Sequence, residues 1–380
     1  MKNKYIFAFS VFVVALSVYL NRQQIISSIF SPRSDALISK NKIAPSNQQS
    51  ASNSSPVIIA SNLSVPWEIA FLPTGEILAT ERSGRLLKIT KESKAIKVIE
   101  SVRSRGEGGL LGLALHPNFA KNNYLYLYYT TIINSEVQNT LERFKLQDDT
   151  LVERKVILSN IKGSNNHDGG RIAFGPDGYL YIATGDAEVP DLAQDKSSLN
   201  GKILKVDEDG KIPADNPFGN EVYSLGLRNP QGLAWDKEGN LWVSDHGPSG
   251  LQTGNDEINL VTKGGNFGWP IIRGSQSAPG LIQPVLESGK QDTWAPSGMA
   301  YYDGSLYFAG LRGSALYKAK IVEGNKLELK EYFKKEYGRI RAVVLGPDNF
   351  LYITTSNTDG RGTPQPGDDK IIRIDPQTLN

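Results

Sequence analysis

Three histidines, His116, His167 and His246, are the only imidazoles in the chain, and there is no cysteine. No two of the histidines have the short spacing of a His-rich zinc or iron site. The lack of cysteine excludes disulfides, thiolate zinc sites and a lipid-anchoring cysteine. No Gly-x-Gly-x-x-Gly opens a helix and no Gly-x-Ser-x-Gly elbow occurs, so neither a Rossmann nicotinamide site nor an α/β-hydrolase nucleophile is supported. What remains is His167, with Asp186 following in the same stretch, and the arginines Arg228, Arg312, Arg339 and Arg341. A histidine held by a carboxylate is a general base suited to taking a proton from a hydroxyl near neutral pH, and the carboxylate orients the ring and stabilises its cation. Several arginines at one place imply an anionic ligand, because guanidinium groups repel one another and pair carboxylates bidentately. The Gly247-Pro248 turn presents consecutive carbonyl oxygens, the donors that hard cations such as Ca²⁺ accept.

Each feature also has an ordinary explanation. A loop histidine is usually structural, and His116 and His246 are read that way. An arginine on a loop is usually solvated, Asp186 can cap its own loop, and Gly-Pro is usually a turn. The chemistry therefore depends on whether the fold brings these residues together.

The elements that must do so are legible. From Asn165 to Asp186 the chain reads polar loop, apolar run, Pro176-Asp-Gly178 turn, apolar run, polar loop. That is a β-hairpin, and its antiparallel strands put His167 and Asp186 at the same end. The unit recurs six times. First strands are Trp67–Phe71, Leu110–Leu115, Gly170–Phe174, Gln231–Trp235, Ser297–Tyr301 and Arg341–Leu345. The second-strand anchors Ile77, Leu125, Leu180, Leu241, Leu306 and Leu351 lie 48, 55, 61, 65 and 45 residues apart. Third strands follow, usually with a basic residue, as in Arg85–Ile89 and Lys202–Val206. A fourth is visible in only some copies, as in Val152–Leu158 and Leu327–Tyr332. A period of this length with such units predicts an all-β, six-bladed β-propeller with four-stranded antiparallel blades. Val57–Ala60 is expected to complete the last blade and close the ring. First strands should line the central channel, and the loops before them and after the second strands should form one rim. That rim collects Glu107, His167, Asp168, Asp186, Arg228, Asn229, Gly247, Pro248, Thr293, Arg312, Arg339 and Arg341.

The 380 residues carry a formal net charge of +2, which gives a nucleic-acid partner no bulk electrostatic support. Lys2 and Lys4 precede an apolar run from Tyr5 to Leu20. Residues 1–30 therefore read as an export signal or an N-terminal membrane anchor, with a tether through residues 5–20. Residues 31–55, rich in Ser, Asn and Gln, read as a flexible linker, and 56–380 as the propeller. The expected location is periplasmic or extracellular.

The motifs Glu107-Gly-Gly-Leu-Leu-Gly-Leu-Ala-Leu-His-Pro-Asn-Phe119, Asn166-His-Asp-Gly-Gly-Arg171, Gly226-Leu-Arg-Asn-Pro-Gln-Gly-Leu-Ala234, Asp256-Glu-Ile-Asn-Leu260 and Gly264-Gly-Asn-Phe-Gly-Trp-Pro270 are together specific. Over about Val57 to Pro376 the chain resembles the soluble glucose/aldose sugar dehydrogenases that use pyrroloquinoline quinone (PQQ), the compact bacterial aldose sugar dehydrogenases above all. The resemblance implies PQQ and Ca²⁺ as cofactors, aldose oxidation at C1 to a lactone, and a soluble electron acceptor. It implies that His167 is the base, supported by Asp186. Arg228, Asn229, Thr293, Arg312, Arg339 and Arg341 would hold the quinone, and Glu107 and Asp168 would contact substrate. The carbonyls of Gly247 and Pro248 would ligate the catalytic Ca²⁺, and Glu257 with the Phe267 carbonyl a second, structural one. Asn166 departs from the Asp of glucose-type enzymes, which bears on the choice of sugar. The rival readings are a non-catalytic propeller that binds a carbohydrate or protein at the same rim and, ranked last, a Ca²⁺-dependent lactone hydrolase.

Overall fold

The computed structural model describes residues 55–90, 93–248 and 254–380. The chain enters through β1 (Val57–Ala60) and then builds six sheets in succession. Blade one is β2 (Pro66–Phe71), β3 (Ile77–Glu81), β4 (Arg85–Ile89) and β5 (Ser93–Val98). Blade two is β6 (Leu110–Leu115), β7 (Tyr124–Ile133), β8 (Glu136–Gln147) and β9 (Thr150–Lys162). Blade three is β10 (Ile172–Phe174), β11 (Leu180–Thr184), β12 (Lys202–Val206) and β13 (Val222–Leu225). Blade four is β14 (Pro230–Trp235), β15 (Leu241–Asp245), β16 (Glu257–Val261) and β17 (Leu286–Glu287). Blade five is β18 (Pro296–Tyr302), β19 (Ser305–Gly310), β20 (Ala315–Val322) and β21 (Lys326–Tyr332). Blade six has β22 (Ile340–Leu345), β23 (Leu351–Thr355) and β24 (Ile371–Ile374), and β1 pairs antiparallel with β24 as its fourth strand.

The six-bladed, four-stranded propeller is therefore the fold, closed by the predicted strand. Readings for residues 1–30 and for the linker lie outside the described residues, apart from Ser55. Among the described residues no helix is long and apolar enough to cross a membrane.

Alternation along each strand sends side chains to both faces of its sheet, and adjacent sheets share their apolar faces. Tyr126, Tyr128 and Leu141 of blade two thus pack with Ile172, Leu180, Ile182 and Leu204 of blade three. Ile69, Ile77 and Ala79 of blade one pack with Tyr352 and Ile371 of blade six across the closure.

Two features of the inner strands shape the site. Register shifts break the β2–β3, β6–β7, β14–β15, β18–β19 and β22–β23 pairings close to one rim. Such bulges re-aim side chains, and Trp67, Gln231, Ser297 and Arg341 lie in them. The glycine repeated in the inner strands has a steric cause. A Cβ on Gly112 would sit 2.2 Å from the Gly170 carbonyl, and one on Gly232 would sit 2.5 Å from the Ser297 carbonyl. Backbones around the channel are too close there for a side chain.

Candidate active site

His167 sits in the loop between β9 and β10 with φ 61°, the left-handed region. The loop is held there from both sides. The His167 amide donates to Glu107 Oε2 at 3.0 Å, and its carbonyl accepts from the Ala187 amide at 3.1 Å. A Cβ on Gly185 would lie 1.9 Å from that carbonyl, so only glycine fits beside it. His167 Nδ1 bonds Asp186 Oδ1 at 2.8 Å, and Nε2 bonds Arg228 Nη2 at 2.8 Å. A guanidinium only donates, so Nε2 carries the lone pair and Nδ1 the proton. This is the tautomer a base working through Nε2 needs. Asp186 is fully buried, and its other oxygen accepts from Trp269 Nε1 at 2.8 Å. The predicted pair is therefore formed, and Trp269 fixes it from behind.

Around His167 lies a narrow, partly enclosed cleft at the rim. Arg228, Arg312, Arg339, Arg341 and Arg361 line it with Asn229, Gln231, His246, Gly247, Pro248 and Thr293. Arg339 pairs with Asp359 at 3.0 Å, Arg341 donates to Gln231 Oε1 at 2.8 Å, and Arg361 donates to Glu107 Oε1 at 2.6 Å. Burial lowers the Arg341 pKa to about 9 and also depresses that of Arg228. Burial works to raise the Glu107 pKa, but Arg361 and the two nearby histidines outweigh it and hold the carboxyl well below its ordinary range. Five arginines line the cleft beside two carboxylates, Glu107 and Asp256, so its lining is cationic and suited to a carboxylated ligand.

Two buried aspartates align the rim loops. Asp245, at the end of β15, accepts from the amides of Arg228 and Asn229 at 2.9 and 2.7 Å. Asp256 Oδ1 accepts from the Gly247 amide at 2.8 Å, while its Oδ2 takes Thr293 Oγ1 at 2.6 Å and the Trp294 amide at 2.7 Å. With its amide so anchored, Gly247 turns into the cleft. Among the described residues no hydrogen bond is made to the carbonyl of Gly247 or Pro248. Both residues line the cleft, and backbone carbonyls are donors of the kind a hard cation accepts.

Asp168, predicted for this cleft, is not gathered there, and Glu257 and Phe267, predicted for a separate site, lie elsewhere. Asp168 follows His167 but turns inward: its Oδ1 accepts from Asn139 Nδ2 and the Ser164 amide, both at 3.0 Å. It does not line the cleft. Glu257 is on β16, where it accepts from the Gly274 amide at 2.8 Å and from Asn259 Nδ2 at 3.2 Å. Burial raises its pKa to about 8. The Phe267 ring packs in the core with Leu241, Val243 and Val261. His246, read as structural, instead lines the cleft, with a buried Nε2 that has no hydrogen-bond partner. His116 does fit the structural reading, since it is buried on the opposite rim against Glu208. Arg361, Gln231, Trp269 and Asp256 were not singled out as site residues. Trp269 and Asp256 stand inside the specific motifs, whereas Arg361 has no local signal because its partner Glu107 belongs to a blade distant in sequence.

A sequence profile of the Glucose / Sorbosone dehydrogenase family matches residues 63–372. The chain belongs to that family. The putative oxidoreductase (glucose dehydrogenase) of Thermus thermophilus superposes with a TM-score of 0.81 at 42% identity, covering 85% of this chain and 100% of its own. The PQQ-bound aldose sugar dehydrogenase of Streptomyces coelicolor superposes with a TM-score of 0.78 at 36% identity, covering 85% and 98%. Aldose sugar dehydrogenase YliI of Escherichia coli K12 is 32% identical over 339 residues, 80% of this chain and 90% of its own. As a member of the glucose/sorbosone dehydrogenase family the protein is an oxidoreductase, and the cleft around His167 is its candidate catalytic centre.

Proposed function

We propose that the protein oxidises aldose sugars at C1 to lactones, using PQQ and Ca²⁺, and passes the electrons to a soluble acceptor. The observation that carries this reading is the His167 tautomer beneath a cleft lined by five arginines. A base with its lone pair at Nε2 suits removal of the hydroxyl proton at C1, and Asp186 stabilises the imidazolium that results. Arg228, Arg312, Arg339 and Arg341 suit the carboxylates of the quinone, Asn229 and Thr293 supply neutral hydrogen bonds, and the Gly247 and Pro248 carbonyls suit Ca²⁺. When bound, the quinone supplies the two-electron acceptor for the hydride leaving C1, and Ca²⁺ acts as Lewis acid. Arg228 engages His167 Nε2, so it must release that nitrogen before the base can act. Glu107, fixed by Arg361 and Asn229, stays ionised and supports substrate hydroxyls beside His167.

The kinship with a PQQ-bound aldose sugar dehydrogenase supports the choice of quinone. Export, and a tether through residues 5–20, remain part of the proposal on the strength of the N-terminal charge and apolar run. The test is addition of PQQ and Ca²⁺ to the apoprotein with an artificial dye acceptor across a panel of aldoses. The expected outcome is dye reduction that requires both additions. No spectral change on adding the quinone, together with no oxidation of any sugar, would overturn it in favour of a non-catalytic propeller that binds a carbohydrate or protein.

A further inference from the structure

The motif that begins at Asn166 ends on Arg171, a residue the catalytic reading leaves unused. The repeat aligns Arg171 with Glu68, Gly112, Gly232, Gly298 and Ala342 of the other blades. Small residues belong at this level, where backbones crowd the channel. Glu68 and Arg171 are the exceptions, both are buried, and they meet. Arg171 starts just before β10 in blade three and reaches three other blades. Its Nη1 donates to Glu68 of blade one, and its Nε donates to the Gln231 carbonyl of blade four at 2.8 Å. Its Nη2 lies so near blade five that a Cβ on Gly298 would stand 3.1 Å from it. The guanidinium carbon is 4.2 Å from the centre of the Trp67 ring, and that of Arg341 is 5.8 Å from the same ring. Gln231 and Arg341 line the catalytic cleft, whereas Glu68 and Arg171 line the opposite mouth of the channel. The ion pair is thus a strut across the channel, beneath the floor of the cleft.

Gln231 joins the strut to the cleft. Its carbonyl accepts from Arg171, while its Oε1 accepts from Arg341 Nη1 at 2.8 Å and from Ser297 Oγ at 3.1 Å. Burial, and then the neighbouring Arg341, lower the Arg171 pKa to about 9, so the two cations interact through the floor. Glu68 offsets the Arg171 charge and leaves Arg341 as the cation that faces the cleft. Apolar side chains of similar volume commonly match a buried ion pair in stability. They would supply neither the donor at the Gln231 carbonyl nor the cation on Trp67. We propose that Arg171 and Glu68 are positioning residues for the cofactor: their strut fixes Gln231, and through it holds Arg341 in place to receive a carboxylate of the quinone. The inference rests on the PQQ reading and extends it to residues that do not touch the cleft.

The test measures PQQ affinity in the presence of Ca²⁺ by calorimetry, the absorption spectrum of the bound quinone, and thermal melts. The variants are Glu68→Met/Arg171→Met, which replaces the pair by apolar side chains, and Arg171→Lys, which keeps the cation but loses the planar fork. The double variant is expected to melt close to wild type while its Kd for PQQ rises at least about tenfold, which corresponds to about 1.4 kcal/mol. Arg171→Lys is expected not to restore the affinity, and the absorption band of the bound quinone is expected to shift in both. A role in folding alone predicts the reverse, a lower melt with an unchanged Kd. A folded double variant whose Kd rises less than about tenfold overturns the proposal. Should the double variant fail to fold, Arg171→Lys carries the same reading with the same threshold. If wild type binds no PQQ, the cofactor reading fails by itself. The strut is then read in the crystal structure of the Arg171→Lys apoprotein: Arg341 detached from Gln231 Oε1 supports its positioning role, and Arg341 still bonded there overturns it.

Discussion

Asp168 and Asp186 flank His167 in space and do opposite things. Asp186 accepts from His167 Nδ1, from the Glu188 amide and from Trp269, so its charge is spent on orienting the ring. Asp168 is buried with one oxygen unpartnered, and burial raises its pKa to about 7 despite the bonds from Asn139 and Ser164. The native state therefore holds this proton more tightly than the unfolded chain does. Its stabilising contribution is complete below about pH 4, falls as pH rises, and is gone above about pH 7, a span worth at most about 4 kcal/mol. Asp168→Asn keeps the Oδ1 acceptor and removes the ionisation. Thermal melts should find the variant's advantage over wild type growing from about pH 4 to about pH 8; a constant difference across that range would refute the assignment. At this scale the His167–Asp186 pair was legible, because one hairpin places both residues at one end. Arg361 and His246 were not, since the groups that give them meaning, Glu107 and the cleft itself, come from other blades.

Repetition made the elements readable. Inner strands share a small-residue, apolar pattern because their backbones meet around the channel, as at Gly112 and Gly232. Outer strands such as β13 and β17 have four and two residues, too few to show alternation, and pairing alone defines them. The loops between these elements depend on buried carboxylates more than on their own composition. Asp256 is 1% exposed and ties the Gly247 turn of blade four to the Thr293–Ala295 approach to blade five. Asp256→Ala leaves several buried donors unpaired, a loss of roughly 3–5 kcal/mol. Urea denaturation should detect it, and Ca²⁺ affinity should fall with it. Stability within about 0.5 kcal/mol of wild type, the range of an ordinary surface substitution, would show that the loops hold themselves.

For the whole molecule, closure and convergence are the same fact. β1 joins the first described residues to β24, so the ring shuts with strands from both ends of the propeller. Removing residues up to Ala60 uncovers the β24 ladder edge. The truncated protein should melt several degrees lower and associate with rising concentration, by calorimetry and light scattering; an unchanged melt and a monomer at all concentrations would contradict a closing role. Closure is also what brings Arg339, Arg341 and Arg361 of blade six against Glu107 of blade two and His167 of blade three. The number of blades was legible from the repeat, but the pairing of particular side chains across the mouth needed the closed ring. The most direct test of the account is His167→Ala loaded with PQQ and Ca²⁺, with quinone binding read spectrally and sugar oxidation read by dye reduction. The arrangement predicts quinone binding within a few-fold of wild type and turnover lower by roughly a thousandfold, the range of a lost general base. Turnover at the wild-type rate in that variant would contradict it.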